Sequence, residues 1–439
     1  MTIKVLDLFA GAGGLALGLE SVKDNSGRPV FELYRAVEID KYACDTLRSN
    51  FGKDRVIEGD LSNTKIYKKV VSDCRGKVDI VAGGIPCQSF SLIGPRSGYG
   101  KNDDRFRQDK RDDLYKEFRR IVRQVEPKVV LIENVRGILS KKDFRGEKII
   151  DKLLADFERL GYCFDNETTG QKYMVLNAVE FGVPQMRERV IIIGINKSWR
   201  KMAVPQIRAT HYGPDSEKKT SDGLMPYVTI GEAIGDLPSV CARVTWTGLS
   251  DTETRRQREK NKEINYGAEK LPFSRETFEQ HLNKISESGV KFFSFVRSNG
   301  YPYIDDHIAR SQQMTDLQLF GSMKEGETAK EFITRKPKLA KKLIKYNMET
   351  FEDKYRKQRW DAPCTTVFAH LEKDGNRFIH PVQRRTFTPR EAARIQSFPD
   401  DFIFKGPFSR KYRQIGNAVP PLMAHHIGIA VYKIFGGIK

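Results

Sequence analysis

Through the first 200 residues, short apolar runs alternate with longer amphipathic stretches. Val5-Leu6-Asp7-Leu8-Phe9 is such a run, closed by the turn Gly11-Ala12-Gly13-Gly14 and followed by a helical pattern through Leu15, Leu17 and Leu19. Further runs lie at Tyr34–Ile39, Arg55–Glu58, Val78–Val81, Val129–Ile132 and Val190–Ile195. Between them, Leu114–Val125 and Ile149–Leu160 repeat apolar residues at helical spacing. Strands alternating with helices predict an open, mostly parallel α/β sheet with helices on both faces, and ligands bind beyond the carboxyl ends of such strands.

From about Pro205 the texture changes. Residues 205–360 are more polar, with charged runs at Thr252–Glu263 and Thr334–Lys345. This predicts a second domain inserted before the chain returns to the first. The charged runs read as solvated helix faces. The segment Ser89–Asp109 lacks a recognisable element, and loops of that length inside a compact domain are commonly functional lids or disordered.

The formal charge of +19 is compatible with a polyanionic partner. No apolar run approaches the roughly 20 residues that span a bilayer. The chain enters a strand-like run at once, leaving no room for a signal peptide, so a cytoplasmic or nucleoplasmic protein is expected. The six cysteines (Cys44, Cys74, Cys87, Cys163, Cys241 and Cys364) form no CxxC pair and no cluster at zinc spacing, so no metal site is expected. For five of them the expected role is a buried structural thiol.

Cys87 differs in its position. Val81-Ala82-Gly83-Gly84-Ile85-Pro86-Cys87 places it at the end of a buried strand, where Pro86 biases Ile85 to an extended shape. Gly11-Ala12-Gly13-Gly14-Leu15-Ala16 fits G-x-G-x-x-A after a strand, and Glu38 ends the next strand, where a carboxylate accepts from ribose hydroxyls. Asp60 follows a third run, in reach of an adenine amino group. These features suit either NAD or S-adenosylmethionine. Beside an adenosyl methyl donor, a thiolate adding to carbon 6 of cytosine makes carbon 5 enamine-like and able to attack a sulfonium methyl. An acid at ring nitrogen 3 and a cation at oxygen 2 assist this addition. Glu133, after the run Val129–Ile132, and Arg187 and Arg189, before Val190, supply those groups. Their plainer readings are a cap carboxylate and surface charge.

Together, Asp7-Leu8-Phe9-Ala10-Gly11-Ala12-Gly13-Gly14, Glu38-Ile39-Asp40, Gly59-Asp60-Leu61, Pro86-Cys87-Gln88-Ser89, Glu133-Asn134-Val135 and Gln185-Met186-Arg187-Glu188-Arg189 resemble the ordered motifs of the DNA (cytosine-5) methyltransferases. Arg385–Arg394 and Gln414-Ile415-Gly416-Asn417-Ala418-Val419-Pro420 continue the resemblance, which covers roughly residues 1–195 and 360–435. It implies an S-adenosylmethionine-dependent, Rossmann-like sheet with a smaller target-recognition domain. The division expected is a catalytic and cofactor-binding domain at 1–204, a target-recognition domain and hinge at 205–404, and a closing catalytic segment at 405–439.

The resemblance assigns Cys87 as nucleophile, Glu133 as the contact to nitrogen 3, Arg189 as the contact to oxygen 2, and Arg187 as their support. It assigns the cofactor pocket to Phe9, Ala10, Gly11, Gly13, Gly14, Leu15, Glu38, Ile39, Asp60, Leu61, Pro86, Leu114, Asn417 and Val419. Ser89–Asp109 corresponds to the family's catalytic loop, although it is a little longer here. Within it, Ser89, Arg96, Lys101, Arg105 and Arg107 are expected to contact DNA. Ile85 stands where many members carry proline. The target carbon is stacked inside a duplex, so the cytosine must be extruded. The compact chain resembles the bacterial restriction–modification type. That implies a cytoplasmic monomer on double-stranded DNA, with a cognate restriction endonuclease as a further partner. Methylation of tRNA, a dinucleotide-dependent oxidoreductase and a catalytically dead relative are the alternatives. The long insertion, the motifs beyond the glycine turn and the complete set of catalytic side chains count against them in turn.

Overall fold

The apolar runs become strands because each has neighbours that cover both its faces. The computed structural model describes residues 2–86, 114–143, 145–215, 223–245, 265–297, 300–344, 354–373 and 375–437. These fall into two compact units, Met1–Phe181 with Arg187–His211 and Ala418–Lys439, and Gly182–Met186 with Tyr212–Asn417.

The first unit contains β1 (Ile3–Leu8), α1 (Gly14–Glu20), β2 (Phe31–Glu38), α2 (Lys41–Phe51), β3 (Val56–Glu58), α3 (Thr64–Cys74) and β4 (Ile80–Gly84). It continues with α4 (Leu114–Val125), β5 (Val129–Val135), α5 (Ile149–Arg159), β6 (Tyr162–Cys163), β7 (Met174–Asn177) and β8 (Glu188–Asn196). The sheet order is β3-β2-β1-β4-β5-β8-β6, with β7 paired to β8. The strands β1 to β5 run parallel, as the alternation with helices predicts. The far edge departs from the parallel rule, since β8 is antiparallel to β5, β6 and β7. β6 and β7 are too short to show a period in the sequence. Strand order reverses between β1 and β4, which makes the gap between their carboxyl ends the switch point of the sheet.

Leu6, Leu8, Val81, Val130 and Ile132 point to one face and bury against Val70 of α3, Phe118 and Ile121 of α4, and Leu153 and Phe157 of α5. Each fully buried side chain of this size stabilises the fold by about 1.5–3 kcal/mol. α1 packs against the C-terminal helix Pro421–Ile434 so closely that glycine is required. A Cβ on Gly18 would meet the Cβ of Ala424 and the carbonyl oxygen of Pro421, each at 2.3 Å. Residues 418–437 thus complete the layer on which the first strand rests.

The second unit is built of short helices and loops, with an antiparallel strand pair, Gly267–Pro272 against Tyr303–Ile308, and a short parallel pair, Val244–Thr245 against Gln312–Gln313. Gly182–Met186 joins it because Cys364 N–H donates to Pro184 O and Met186 N–H to Cys364 O. The run Thr334–Lys345 is described as far as Ile344. There Ala340 and Leu343 are buried while Lys338, Lys341 and Lys342 are exposed, a solvated helix face as expected. Thr252–Glu263 lies outside the described residues.

The arginine-rich segment near residue 390 is buried. Arg394 donates to both Asp400 oxygens at 2.8 and 2.7 Å and is also paired with Asp236, while Arg297 pairs with Asp400. Burial alone would raise the Asp400 carboxyl, but Arg394, Arg390 and Arg297 outweigh it and hold it below the usual range. Stability carried by this carboxylate is complete above the ordinary aspartate range and is lost as pH falls through and below it.

The expectation of five buried structural thiols needs correcting. Cys44, Cys74 and Cys364 are buried, but Cys163 is partly exposed and Cys241 is exposed, because each sits in a short stretch at the edge of its unit.

Both the helix packing and the buried arginine can be tested by stability. Gly18→Val should cost about 1–3 kcal/mol through overpacking, read as a lower denaturant midpoint. An unchanged midpoint would mean that the two helices separate at no cost. Arg394→Met leaves Asp236 without its arginine, while Asp400 keeps Arg297, and should cost about 3–5 kcal/mol, again read as a lower denaturant midpoint.

Candidate active site

The carboxyl ends of β1, β2, β4 and β5 bring four pieces of the sequence to one edge. After Leu8 the chain reverses through three residues of positive φ, Phe9 at 58°, Gly11 at 56° and Gly13 at 88°. Phe9 adopts this conformation without being glycine, which costs on the order of 1–3 kcal/mol and must be held by its surroundings. Gly13 also has no space for a side chain, since a Cβ would lie 2.6 Å from the Phe51 ring.

The holding group is Glu38. Its Oε2 accepts from Gly11 N–H at 2.8 Å, and its Oε1 accepts from Ile39 and Asp40 N–H, both at 2.8 Å. The carboxylate read from sequence as a ribose acceptor is therefore also the clamp of the glycine turn. Beside it Ile39 is 65% exposed, an apolar surface open to a flat ring. Asp60 is exposed, and its Oδ1 accepts from Ser62 N–H at 2.8 Å, which fixes the turn after β3. Ala10, Pro86 and Leu114 are partly exposed, whereas Gly14, Leu15, Leu61 and Val419 are buried. Asn417 is exposed at the end of the helix Phe408–Asn417 and belongs to the second unit.

One residue at this edge was not singled out by sequence reasoning. Asp7 is 1% exposed, and among the described residues neither of its carboxylate oxygens has a hydrogen-bond partner. Burial, followed by the charge of Glu38, pushes its pKa well above the ordinary value. A buried carboxyl group without partners is costly to ionise, and a cation brought next to it removes that cost. Asp7, Glu38 and Ile39 thus set a buried carboxyl group, a hydrogen-bonded carboxylate and an exposed apolar surface along one edge. The only sequence signal for Asp7 was a carboxylate inside an apolar strand.

The second half of the edge lies where β4 meets β5. A Cβ on Gly83 would stand 2.2 Å from Leu8 O, so β1 and β4 approach only because that position is glycine. Gly84 faces Glu133 in the register, and a Cβ there would stand 3.0 Å from Glu133 Oε2. Glu133 Oε1 pairs with Arg189 Nε at 2.7 Å, both side chains being nearly buried. Arg189 also donates from Nη1 to Glu188 O at 2.7 Å. Asn134 Nδ2 donates to Ile85 O at 3.2 Å, and Asn134 Oδ1 accepts from Val135 N–H at 2.9 Å. β5 thereby fixes the exit of β4.

Arg187 is 1% exposed; its Nη2 donates to Ala418 O at 2.9 Å, and its own N–H donates to Asn177 Oδ1 at 2.9 Å. Its described contacts tie the chain near Val419 to the sheet. Cys87, Ser89, Arg96, Lys101, Arg105 and Arg107 lie outside the described residues. Among the described residues no group of three His, Cys, Asp or Glu side chains could hold a metal ion, and no helix is long and apolar enough to cross a membrane.

The chain is 32% identical to the Type II methyltransferase M.AgeI of Thalassovita gelatinovora, covering 98% of this chain and 100% of that protein. It is 30% identical to the Type II methyltransferase M1.HphI of Haemophilus parahaemolyticus, covering 99% and 88%. Its fold resembles the crystal structure of a prophage-encoded E. coli protein described as a DNA modification methyltransferase. That comparison has a TM-score of 0.63 and 24% identity, and covers 99% of this chain and 100% of the other. The profile of the C-5 cytosine-specific DNA methylases matches residues 3–433, which takes in both the glycine turn held by Glu38 and the Glu133–Arg189 pair. With so much of its length matched, the chain belongs to the C-5 cytosine-specific DNA methylase family.

Proposed function

We propose that this enzyme transfers a methyl group from S-adenosylmethionine to carbon 5 of a cytosine within a specific double-stranded DNA sequence, with Cys87 attacking carbon 6 of the extruded base. The observation that carries the reading is the Glu133–Arg189 pair, set against Gly84 three residues before Cys87.

The donor, when bound, supplies an electrophilic methyl group on a sulfonium. Asp7, buried beneath the turn, favours positive charge nearby, Ile39 gives the adenine an apolar surface, and Glu38 keeps the turn that borders the ribose. Gly11, Gly13, Asp60, Pro86 and Leu114 form the rest of the wall. The family's motif assigns Asn417 and Val419 to the donor as well.

On the cytosine, the Cys87 thiolate forms a bond to carbon 6 while Glu133 hydrogen-bonds or protonates ring nitrogen 3. The ring electrons move onto carbon 5, which would bond to the methyl carbon as its bond to the sulfonium sulfur breaks and the neutral thioether leaves. Arg189 faces oxygen 2, and its guanidinium has five N–H donors, more than its described partners use. Arg187 supports both by fixing the strand that carries Arg189. A base then takes the hydrogen from carbon 5, and the thiolate leaves by elimination, restoring the aromatic ring. Unstacking the base costs a few kcal/mol. Phosphate contacts by Ser89, Arg96, Lys101, Arg105 and Arg107 offset that cost and weaken with salt.

The residues between Tyr212 and about 404 act as the target-recognition part. The chain works as a monomer in a bacterial cytoplasm, paired with a restriction endonuclease for the same site. The Type II names of the relatives support this last reading.

Cys87→Ser tests the reaction. Bisulfite sequencing of DNA from cells expressing the enzyme should find one methylated sequence context, and the serine variant should leave that context unmethylated. Donor binding by the variant, followed by calorimetry, should stay within about twofold of the parent, well inside the tenfold that 1.4 kcal/mol represents. Methylation at the parental level by the variant would remove Cys87 from the mechanism.

A further inference from the structure

The helix layer on one face of the sheet carries a groove that the reaction does not use. α3, α4 and α5 pack side by side there, leaving a cavity of about 570 Å³ lined by Tyr67, Lys116, Arg120, Arg123, Asp156 and Arg159 among others. α4 leads from the carboxyl end of β4 back to the amino end of β5. Arg120 and Arg123 therefore lie about 9 and 13 Å down the helix from Leu114, at ~1.5 Å per residue. Arg159 ends α5 just before β6, whose amino end is at that same lower edge. The groove thus runs from Tyr67 and Lys116, in the first turns of α3 and α4, down to Arg159 at the edge opposite Glu38 and Glu133.

Its charge is unbalanced. The wall carries five cations, adding Arg119, against the two carboxylates Glu117 and Asp156. Asp156 holds Arg119 at 2.6 Å and Arg159 at 2.8 Å, while Glu117 holds Arg120 at 3.2 Å. The Arg120 guanidinium lies 3.7 Å over the Tyr67 ring, and its side chain is 43% exposed. Stacking fixes its plane and leaves N–H groups directed outward. Arg123 is exposed and has no ion pair among the described residues. Exposed Lys65, Lys68 and Lys69 of α3 extend the basic surface.

We infer that this groove holds the phosphate backbone of a second stretch of duplex DNA, separate from the stretch presented to the active site. Duplex DNA carries one negative charge per about 1.7 Å of axis, and α4 presents a surplus of cations to it, Lys116, Arg119, Arg120 and Arg123 against Glu117. A protein partner would need an apolar centre to bury. The groove offers only Tyr67 and Leu160, and Arg120 already covers the tyrosine. The inference rests on DNA as the substrate. It gives the enzyme a sequence-independent hold on long DNA between target sites.

The test compares the parent with Arg120→Gln/Arg123→Gln on a duplex of about 12 base pairs, roughly one helical turn, and on one several turns longer, both containing the methylated sequence. On the long duplex, the slope of log affinity against log salt should become shallower by about 2, at roughly 0.9 for each phosphate that the variant no longer neutralises. On the short duplex, kcat and KM should be unchanged, which also shows that the variant folds and that catalysis is intact. Arg120→Lys/Arg123→Lys should restore most of the slope. Identical slopes for parent and glutamine variant on long DNA would overturn the inference. So would an equal loss on both duplexes, since that would place the arginines against the DNA in the active site.

Discussion

The contact of Glu133 with Arg189, at 2.7 Å, stands beside two glycines of β4. A Cβ at Gly84 would lie 3.0 Å from Glu133 Oε2, so a side chain there would make the carboxylate give by a few tenths of an ångström. A Cβ at Gly83 would meet Leu8 O at 2.2 Å and push β4 away from β1. Gly83 therefore sets how close these two strands approach. That spacing in turn brings the glycine turn after β1 and the Glu133 carboxylate of β5 to the same edge. Asn134 adds the last constraint by holding the carbonyl of Ile85.

Charge is used in opposite ways elsewhere in the molecule. Arg385, Arg390 and Arg394 are fully buried in the second unit, where they meet Glu391, Asp236 and Asp400. Those arginines are internal struts, and they add nothing to the field outside. The cations of α3 and α4 do the reverse: they are exposed and exceed their carboxylate partners. The formal charge of +19 therefore does not describe one binding surface. Part of it is neutralised in the interior, and part of it lies on a helix layer away from the reaction.

Much of the first unit was legible in the sequence because its signals are local. Leu114–Val125 folds as a helix over those same residues, and the runs at Val129 and Val190 become the central strands. Glu133 and Arg189 were placed at strand ends by the same pattern. What a linear reading cannot carry is partnership over distance. Glu38 looked like a ribose ligand, yet its three backbone bonds make it a clamp as well. Asp7 looked like one polar residue in a strand, and only its burial without partners marks it as a place for a cation. Arg390 and Arg394 stand in the motif Arg385–Arg394, which gives no sign of their burial until Asp236, distant in sequence, is seen beside Arg394. The Ser89–Asp109 segment and Cys87 lie outside the described residues, so their roles rest on motif and chemistry.

The covalent step is the centre of the account, and fluorine at carbon 5 of the target cytosine tests it most directly. If release of the thiol requires a base to remove the hydrogen from carbon 5, fluorine there blocks elimination after methyl transfer. The enzyme should then remain bonded to the DNA in the presence of S-adenosylmethionine, and mass spectrometry of the digested adduct should place the bond at Cys87. Absence of any covalent complex, with normal cytosine in the same duplex fully methylated, would contradict a thiolate mechanism.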